Sequence, residues 1–307
     1  MLDLRRLRYF VTIAEELHFG RAATRLRIAQ PPLTRHITAL ETELGIRLFE
    51  RSTRAVRLTP EGTLFLEQAR AVLRAVDEAE ETARKMAQGV TGRLVIGYSS
   101  SIPMSDVFSD VVRNVSRNLP EVELLFREVS SASQVQQIAD GTLDVGFGWS
   151  AEKAAKEGIQ SLIVSRDPLV VAAPSTSAYA GKTVIDFAEL AEETFLNYPP
   201  GYGAALNTAL DELCSRAGFT PRMGPTASQM TTLISLVAAE RGVAVVPSFT
   251  SALQRSGVAY VSLAEPYVFE QTIIWSEPFS STCVERFIEL VKSLPLHQDP
   301  LSRRHFM

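Results

Sequence analysis

The chain has 307 residues, of which 46% are hydrophobic and 21% charged; this length calls for two or three folded units and this composition excludes a disordered or fibrous protein. Its apolar runs, such as 169–174 and 243–247, fall well short of the roughly 18–20 residues that cross a bilayer, and its arginine-bearing start has no secretory leader, so a cytoplasmic protein is expected. The net charge of −4 conceals a division: residues 1–60 hold eleven arginines against six acids, which puts +5 on the head and −9 on the remainder.

In the head, Leu4, Leu7, Phe10, Val11, Ala14 and Leu17 recur at three- and four-residue intervals and predict an amphipathic first helix, broken at His18-Phe19-Gly20. A short helix is expected over 21–26, where Ala22 and Ala23 admit a close crossing. Gln30-Pro31-Pro32 fixes the start of a third helix, since proline costs nothing where first-turn N–H groups lack partners. That helix buries Leu33, Ile37, Leu40 and Leu44, stops at Gly45, and presents Thr34, Arg35 and Thr38 outward. A polar, basic face at the start of a crossed helix describes a recognition helix for the DNA major groove. Arginine suits guanine or phosphate there, and glutamine suits adenine. Strands are expected over 47–50 and 55–58, around Arg51-Ser52-Thr53-Arg54, forming a wing with a basic tip.

Thr59-Pro60-Glu61 starts a long helix that ends at Gly89. Within it Phe65, Ala69, Val72, Val76, Ala79, Ala83 and Met86 form a seam at alternating steps of four and three, flanked by charge. Such a seam predicts packing on a second helix of its kind, and hence a homodimer; a core helix of one domain is the alternative.

From Gly92 the chain alternates strand and helix: strand 93–98, helix 104–118, strand 122–128, helix 134–141 and strand 143–147. A second unit begins at 168–173 and continues with strand 194–198, helices 204–217 and 230–241, and strand 243–246. Strand 271–275 and helix 283–294 return to the first unit. This pattern predicts a parallel α/β sheet in two lobes. The expected division is a mainly α winged helix-turn-helix at 1–58, a linker helix at 59–89, one lobe at 92–163 with 268–303, and the other at 164–267. Ligands of such sheets bind at the carboxyl ends of strands, where helix N-termini aim N–H groups into a cleft. Ser99-Ser100-Ser101, Ser130-Ser131 and Pro200-Gly201-Tyr202-Gly203 all stand at such points. Each serine serves equally as a helix cap, but their coincidence favours a pocket for a small carboxylate or similar anion.

The run AATRLRIAQPPLTRHITALETELGIRLFERSTRAVRLTPEG, residues 22–62, resembles the signature of LysR-type transcriptional regulators, and the similarity extends over nearly the whole chain. The resemblance implies a sensing body of type 2 periplasmic-binding-protein fold and a dimer through the linker helix, assembled into a homotetramer. It implies double-stranded promoter DNA with an interrupted inverted repeat as partner, with RNA polymerase as a further candidate and no membrane. Gln30, Pro32, Thr34 and Arg35 would then face base edges and phosphates, with Pro31 and Pro32 near thymine methyls. Arg54 would enter the minor groove, and Arg51 would hold phosphate or brace the wing. "GTLDVGFGW" and "SLVAAERGVAVVP" in the body resemble the muconate- and chlorocatechol-responsive activators of aromatic-compound degradation. On that match Ser101 and Ser131 fall where those proteins hold the effector carboxylate, with Tyr202, Gly203 and Leu206 opposite. Ser99, Ser100, Ser130 and Gln229 complete the candidate effector set, with Trp149 as a departure where those relatives carry an arginine.

Gly146-Phe-Gly148-Trp-Ser-Ala151, with Asp167 downstream, matches a dinucleotide-binding G-x-G-x-x-A, but bulky Phe147 and Trp149 and the lack of a helix-packing face after it argue against that reading. There is no G-x-S-x-G elbow. Cys214 and Cys283, with His18, His36, His297 and His305, stand at no metal-ligand spacing, so neither enzyme nor cofactor is expected. An exported solute-binding protein would share the body's fold without the basic head.

Overall fold

The computed structural model describes residues 2–51, 55–149 and 151–295. Contacts divide the chain into two compact units, Met1–Lys85 and Met86–Met307.

In the first unit, α1 (Leu4–Glu16) starts where Asp3 accepts the Arg5 N–H at 2.9 Å. Next comes α2 (Phe19–Leu26), capped by His18 Nδ1, and then α3 (Gln30–Leu44), which ends on left-handed Gly45. Leu7, Phe10, Ile13, Ala22, Leu33, Ile37 and Leu40 close the core between these helices. The strands β1 (Phe49–Arg51) and β2 (Val56–Leu58) pair antiparallel, with Phe49 opposite Leu58. They sit one or two residues later than the spacing predicted, because Leu48 is drawn into the core instead of the ladder. Ser52, Thr53 and Arg54 of the expected wing tip lie outside the described residues, as does the Arg51 side chain.

The long helix α4 (Pro60–Ala87) begins on a cap: Thr59 Oγ1 accepts the Gly62 N–H at 2.8 Å and donates to the Arg47 carbonyl at 2.7 Å. Its seam divides in two, which the periodicity did not foresee. Ala69 is buried and the Phe65 ring packs, tilted, against Phe10 at 5.3 Å, so the first turns belong to the head's own core. Val72 and Met86, at 43% and 57% exposed, mark the later turns as uncovered.

The second unit runs β3 (Thr91–Tyr98), α5 (Asp106–Asn118), β4 (Glu121–Glu128), α6 (Ser131–Ala139), β5 (Val145–Gly148), α7 (Ala151–Lys156) and β6 (Gln160–Pro174). It continues with β7 (Val184–Ile185), β8 (Thr194–Asn197), α8 (Ala204–Ala217), β9 (Arg222–Thr226), α9 (Met230–Ala238), β10 (Ala244–Pro247), β11 (Val258–Leu263), β12 (Val268–Trp275) and α10 (Thr282–Ser293). One core gathers Leu94, Val145, Val164, Ile273 and Phe287; another gathers Val171, Phe195, Leu210, Ile234 and Val246.

The sheet is mixed, not parallel as expected. β3 pairs parallel with β4 and β5, but β12 pairs antiparallel with β5 and β6, and β10 and β11 pair antiparallel with β6. The cause is β6, a 15-residue strand that leaves one lobe at Gln160 and enters the other by Pro174, while β12 returns beside it. The expected strand at 168–173 is only its second half. The helix expected from Met104 is a 3-10 turn at Ile102–Met104, and α5 starts at Asp106. α9 stops before Arg241, because Glu240 takes a left-handed conformation and Gly242 packs on the Thr194 carbonyl. Among the described residues no helix is long and apolar enough to cross a membrane.

A Cβ at Gly62 would lie 2.1 Å from the Leu48 carbonyl oxygen, which is backbone and held by the Thr59 N–H. Gly62→Ala is therefore expected to destabilise the first unit by about 1–3 kcal/mol from overpacking, net of the helix propensity alanine adds. Calorimetry of the variant against the parent checks this, and an unchanged transition would contradict it.

Candidate functional site

Two surfaces collect the residues that the sequence singled out, one in each unit. On the first, α3 is anchored by Leu33, Ile37 and Leu40, all fully buried, so its other side is turned outward by helical geometry alone. Gln30, Pro31, Arg35 and Thr38 are exposed; Pro32 and Thr34 are half-buried, with Thr34 Oγ1 donating to the Gln30 carbonyl at 3.1 Å. Several head arginines are already engaged: Arg6 with Glu43 at 2.8 Å, Arg25 with Glu15 at 2.9 Å, and Arg21 with Glu16 at 3.5 Å. Arg35 has no ion-pair partner among the described residues, which leaves its guanidinium free for an external anion. Glu41 is a residue that the spacing did not flag. Its Oε1 accepts the N–H groups of Leu48 and Phe49 at 2.9 and 3.1 Å and so ties the first wing strand to α3.

In the second unit, a cavity of about 410 Å³ opens where strands of both lobes end. It brings together Ser99, Ser100 and Ser101 after β3, Ser130 and Ser131 at the start of α6, Trp149 after β5, Tyr202, Gly203 and Leu206 at the start of α8, and Gln229 ahead of α9. The two readings of the serines separate residue by residue. Ser130 is a cap, accepting the Ser133 N–H at 3.3 Å. Ser101 caps nothing: it is 2% exposed and accepts the Trp149 indole N–H at 3.2 Å. Ser131 Oγ accepts the Trp149 backbone N–H, also at 3.2 Å. Trp149 thus orients both hydroxyls at one wall, and Ser101, whose oxygen accepts a bond, has its own O–H to donate. Ser99 Oγ is buried without a hydrogen-bond partner among the described residues, a costly state that a bound acceptor relieves.

The Trp149 ring is held in turn. It stacks on Phe269 at 4.4 Å and lies parallel to Phe249 at 6.1 Å, packing against both cores. Two glycines make this wall and the one opposite possible. A Cβ at Gly148 would sit 2.5 Å from Ser131 Oγ; at Gly203, whose φ is +53°, it would sit 2.3 Å from the Tyr198 ring. Gly203 thus lets the first turn of α8 meet Tyr198, and no side chain caps that turn, so its N–H groups are available to an anion.

Sequence reasoning missed further wall residues, Tyr198 and Glu128 among them. Tyr198 is buried, which pushes its phenol up to about 12; a hydrogen bond with Ser100 opposes the shift and the charge of Glu128 adds to it. Glu128 closes β4 and accepts a hydrogen bond from Gln229 Nε2 at 3.3 Å. Its place at a strand's carboxyl end, two residues before Ser130, was the available signal. The G-x-G-x-x-A match does not form a phosphate turn: Cβ atoms at Gly146 would meet Gln134 and Ile274 within 2.8 Å, so the glycine admits side-chain packing. Asp167 is buried between strands, with Oδ2 accepting from Ser165 and Gln271. Both cysteines are buried, and that burial raises the Cys283 thiol and lifts Cys214 to about 11. No cluster of potential metal ligands occurs among the described residues.

The family model for the lysR-family bacterial regulatory helix-turn-helix protein matches residues 4–63, and that for the LysR substrate binding domain matches residues 87–295. The chain is 37% identical to the uncharacterized HTH-type transcriptional regulator YnfL of Escherichia coli K12 over 275 residues, covering 89% of this chain and 92% of that protein. It is 34% identical to the HTH-type transcriptional regulator IlvR of Caulobacter vibrioides, covering 94% and 97%. The crystal structure of full-length CbnR complexed with its target DNA superposes with a TM-score of 0.81 at 25% identity, covering 95% of this chain and 99% of that one. These are regulators and not enzymes. With a helix-turn-helix head and a two-lobed sensing body, both matched by their family models, this chain belongs to the LysR family of bacterial transcriptional regulators.

Proposed function

We propose that the protein is an activator that binds an interrupted inverted repeat in promoter DNA as a homodimer, laying α3 in the major groove, and responds to a small organic acid. The observation that carries the DNA half is the exposed face from Gln30 to Thr38, on which Arg35 enters no ion pair among the described residues, unlike Arg6, Arg21 and Arg25. In this reading Gln30, Pro31, Pro32, Thr34, Arg35 and Thr38 contact base edges and phosphates, Arg51 holds phosphate or braces the wing, and Arg54 enters the minor groove. The uncovered turns of α4, with Val72 and Met86 exposed, supply the dimer contact, and two dimers make a tetramer. The working division is a head at 1–58, a linker at 59–89, one effector lobe at 92–163 with 268–303, and the other at 164–267.

The effector in this reading is a small organic anion of the kind that aromatic-compound degradation produces. The Ser101 and Ser131 hydroxyls oriented by Trp149, the unpartnered Ser99, and the open first turn of α8 support an anionic guest. RNA polymerase is the partner through which an activator of this type would act.

Footprinting with the purified protein at low salt is expected to protect an inverted-symmetric site beside its own gene or its neighbours; the absence of any protected site would overturn the DNA assignment. Arg35→Ala is expected to reduce discrimination between that site and random DNA by about 1–3 kcal/mol, read by fluorescence anisotropy. An equal loss on both DNAs would remove Arg35 from base recognition. Ser101→Ala combined with Ser131→Ala is expected to weaken effector binding by roughly tenfold or more, from two lost bonds to a charged group. Calorimetric titration checks this, and undiminished affinity would exclude that wall.

A further inference from the structure

The cavity of the second unit carries a charge of the wrong sign for a simple acid. Glu128 is the one formally charged side chain among the described residues that line it, and neither Lys, Arg nor His is among them. Where the resembling activators place an arginine, Trp149 contributes an uncharged donor that is spent on Ser101. The body around the cavity is itself acidic, since the chain beyond residue 60 carries −9. A guest that is only an anion would therefore meet, beside the serines and the open first turn of α8, a carboxylate that no cation balances.

The carboxylate has a place-holder. Gln229 reaches across from the other lobe and donates to Glu128 Oε1 at a long 3.3 Å, a neutral bond to a charged acceptor that a cationic donor would outcompete. Glu128 ends β4 two residues before the Ser130 cap, about 7 Å along an extended chain. The negative group and the Ser131 hydroxyl thus line the same cavity at a spacing that a small molecule spans. The remaining lining is rich in hydroxyls, from Ser99, Thr208 and Ser228, and suits a polar guest.

We infer that the effector is a zwitterion, an amino acid or a related amino-carboxylate, whose carboxylate lies between the Ser101 and Ser131 hydroxyls and the first turn of α8 and whose ammonium pairs with Glu128. This rests on the reading of the cavity as an effector site for an organic acid and adds the second charge. Glu128 is then the residue that sets specificity, and Gln229 yields to the ligand's amine as it enters.

The test is differential scanning fluorimetry and calorimetric titration of the full-length protein with the L-amino acids, each matched to its carboxylic acid lacking the amine, and with cis,cis-muconate. At least one amino acid is expected to stabilise the protein and to bind roughly ten- to a hundredfold more tightly than its deaminated counterpart, the range of one hydrogen bond to a charged group. Glu128→Gln is expected to erase that preference and leave the unfolding transition of the ligand-free protein in place. Deaminated acids or muconate that bind the parent as well as, or better than, the amino acids, and lose affinity in the Ser101→Ala, Ser131→Ala variant, would overturn the zwitterion while leaving the anion pocket standing. If neither panel stabilises the protein, or if binding survives the double serine change, the pocket reading falls together with the inference.

Discussion

Everything in the sensing unit hangs on the antiparallel pairing of β6 with β12, two strands that each contribute side chains to both hydrophobic cores. Their register, with Val268 opposite Pro168 and Trp275 opposite Gln160, runs the length of the crossing and breaks once, between Gln271 and Thr272. At that break the interior is polar. Gln271 is fully buried; its amide donates to Asp167 Oδ2 at 2.8 Å and its carbonyl accepts from Ser105 at 3.0 Å, while Ser165 completes the carboxyl's bonds. Buried polar groups are costly unless paired, and these pair with one another in only one register. The network thus specifies where one lobe ends and the other begins. The cavity follows, because two lobes joined by two strands leave their facing strand ends uncovered.

Trp149 turns that architecture into a site. One face of its indole is covered by Phe269, its N–H groups fix two serines, and its body packs against both hydrophobic cores. The side chain that orients the two serines is therefore also the one that bridges the two hydrophobic cores.

Much of this was legible in the residues, for identifiable reasons. The head was largely legible because its helices are amphipathic, proline and glycine mark the start and end of α3, and a four-three spacing such as Leu33, Ile37 and Leu40 has one geometric solution; the break read at His18-Phe19-Gly20 falls instead on left-handed Leu17, and Gly20 lies inside α2. The cavity was legible as clusters of small polar residues at strand ends, a rule of topology independent of chemistry. What stayed hidden depends on contacts remote in sequence. The mixed sense of the sheet follows from β12 returning beside β6 from about a hundred residues away, and local alternation carries no record of partner direction. The division of the α4 seam depends on Phe10 and Leu48 reaching Phe65 and Ala69, which periodicity treats like the exposed Val72. Glu128 looked like an ordinary end of a strand until Gln229 approached it from the other lobe.

The placement of the two indoles has an optical consequence. The chain contains only two tryptophans. Trp149 lines the cavity, whereas Trp275 lies inside one lobe, 5% exposed beneath the Lys292 ammonium. Excited at the indole band, the protein carries one emitter at the cavity and one away from it, so a guest entering there would be read in the protein's own fluorescence against the second indole, with no attached dye.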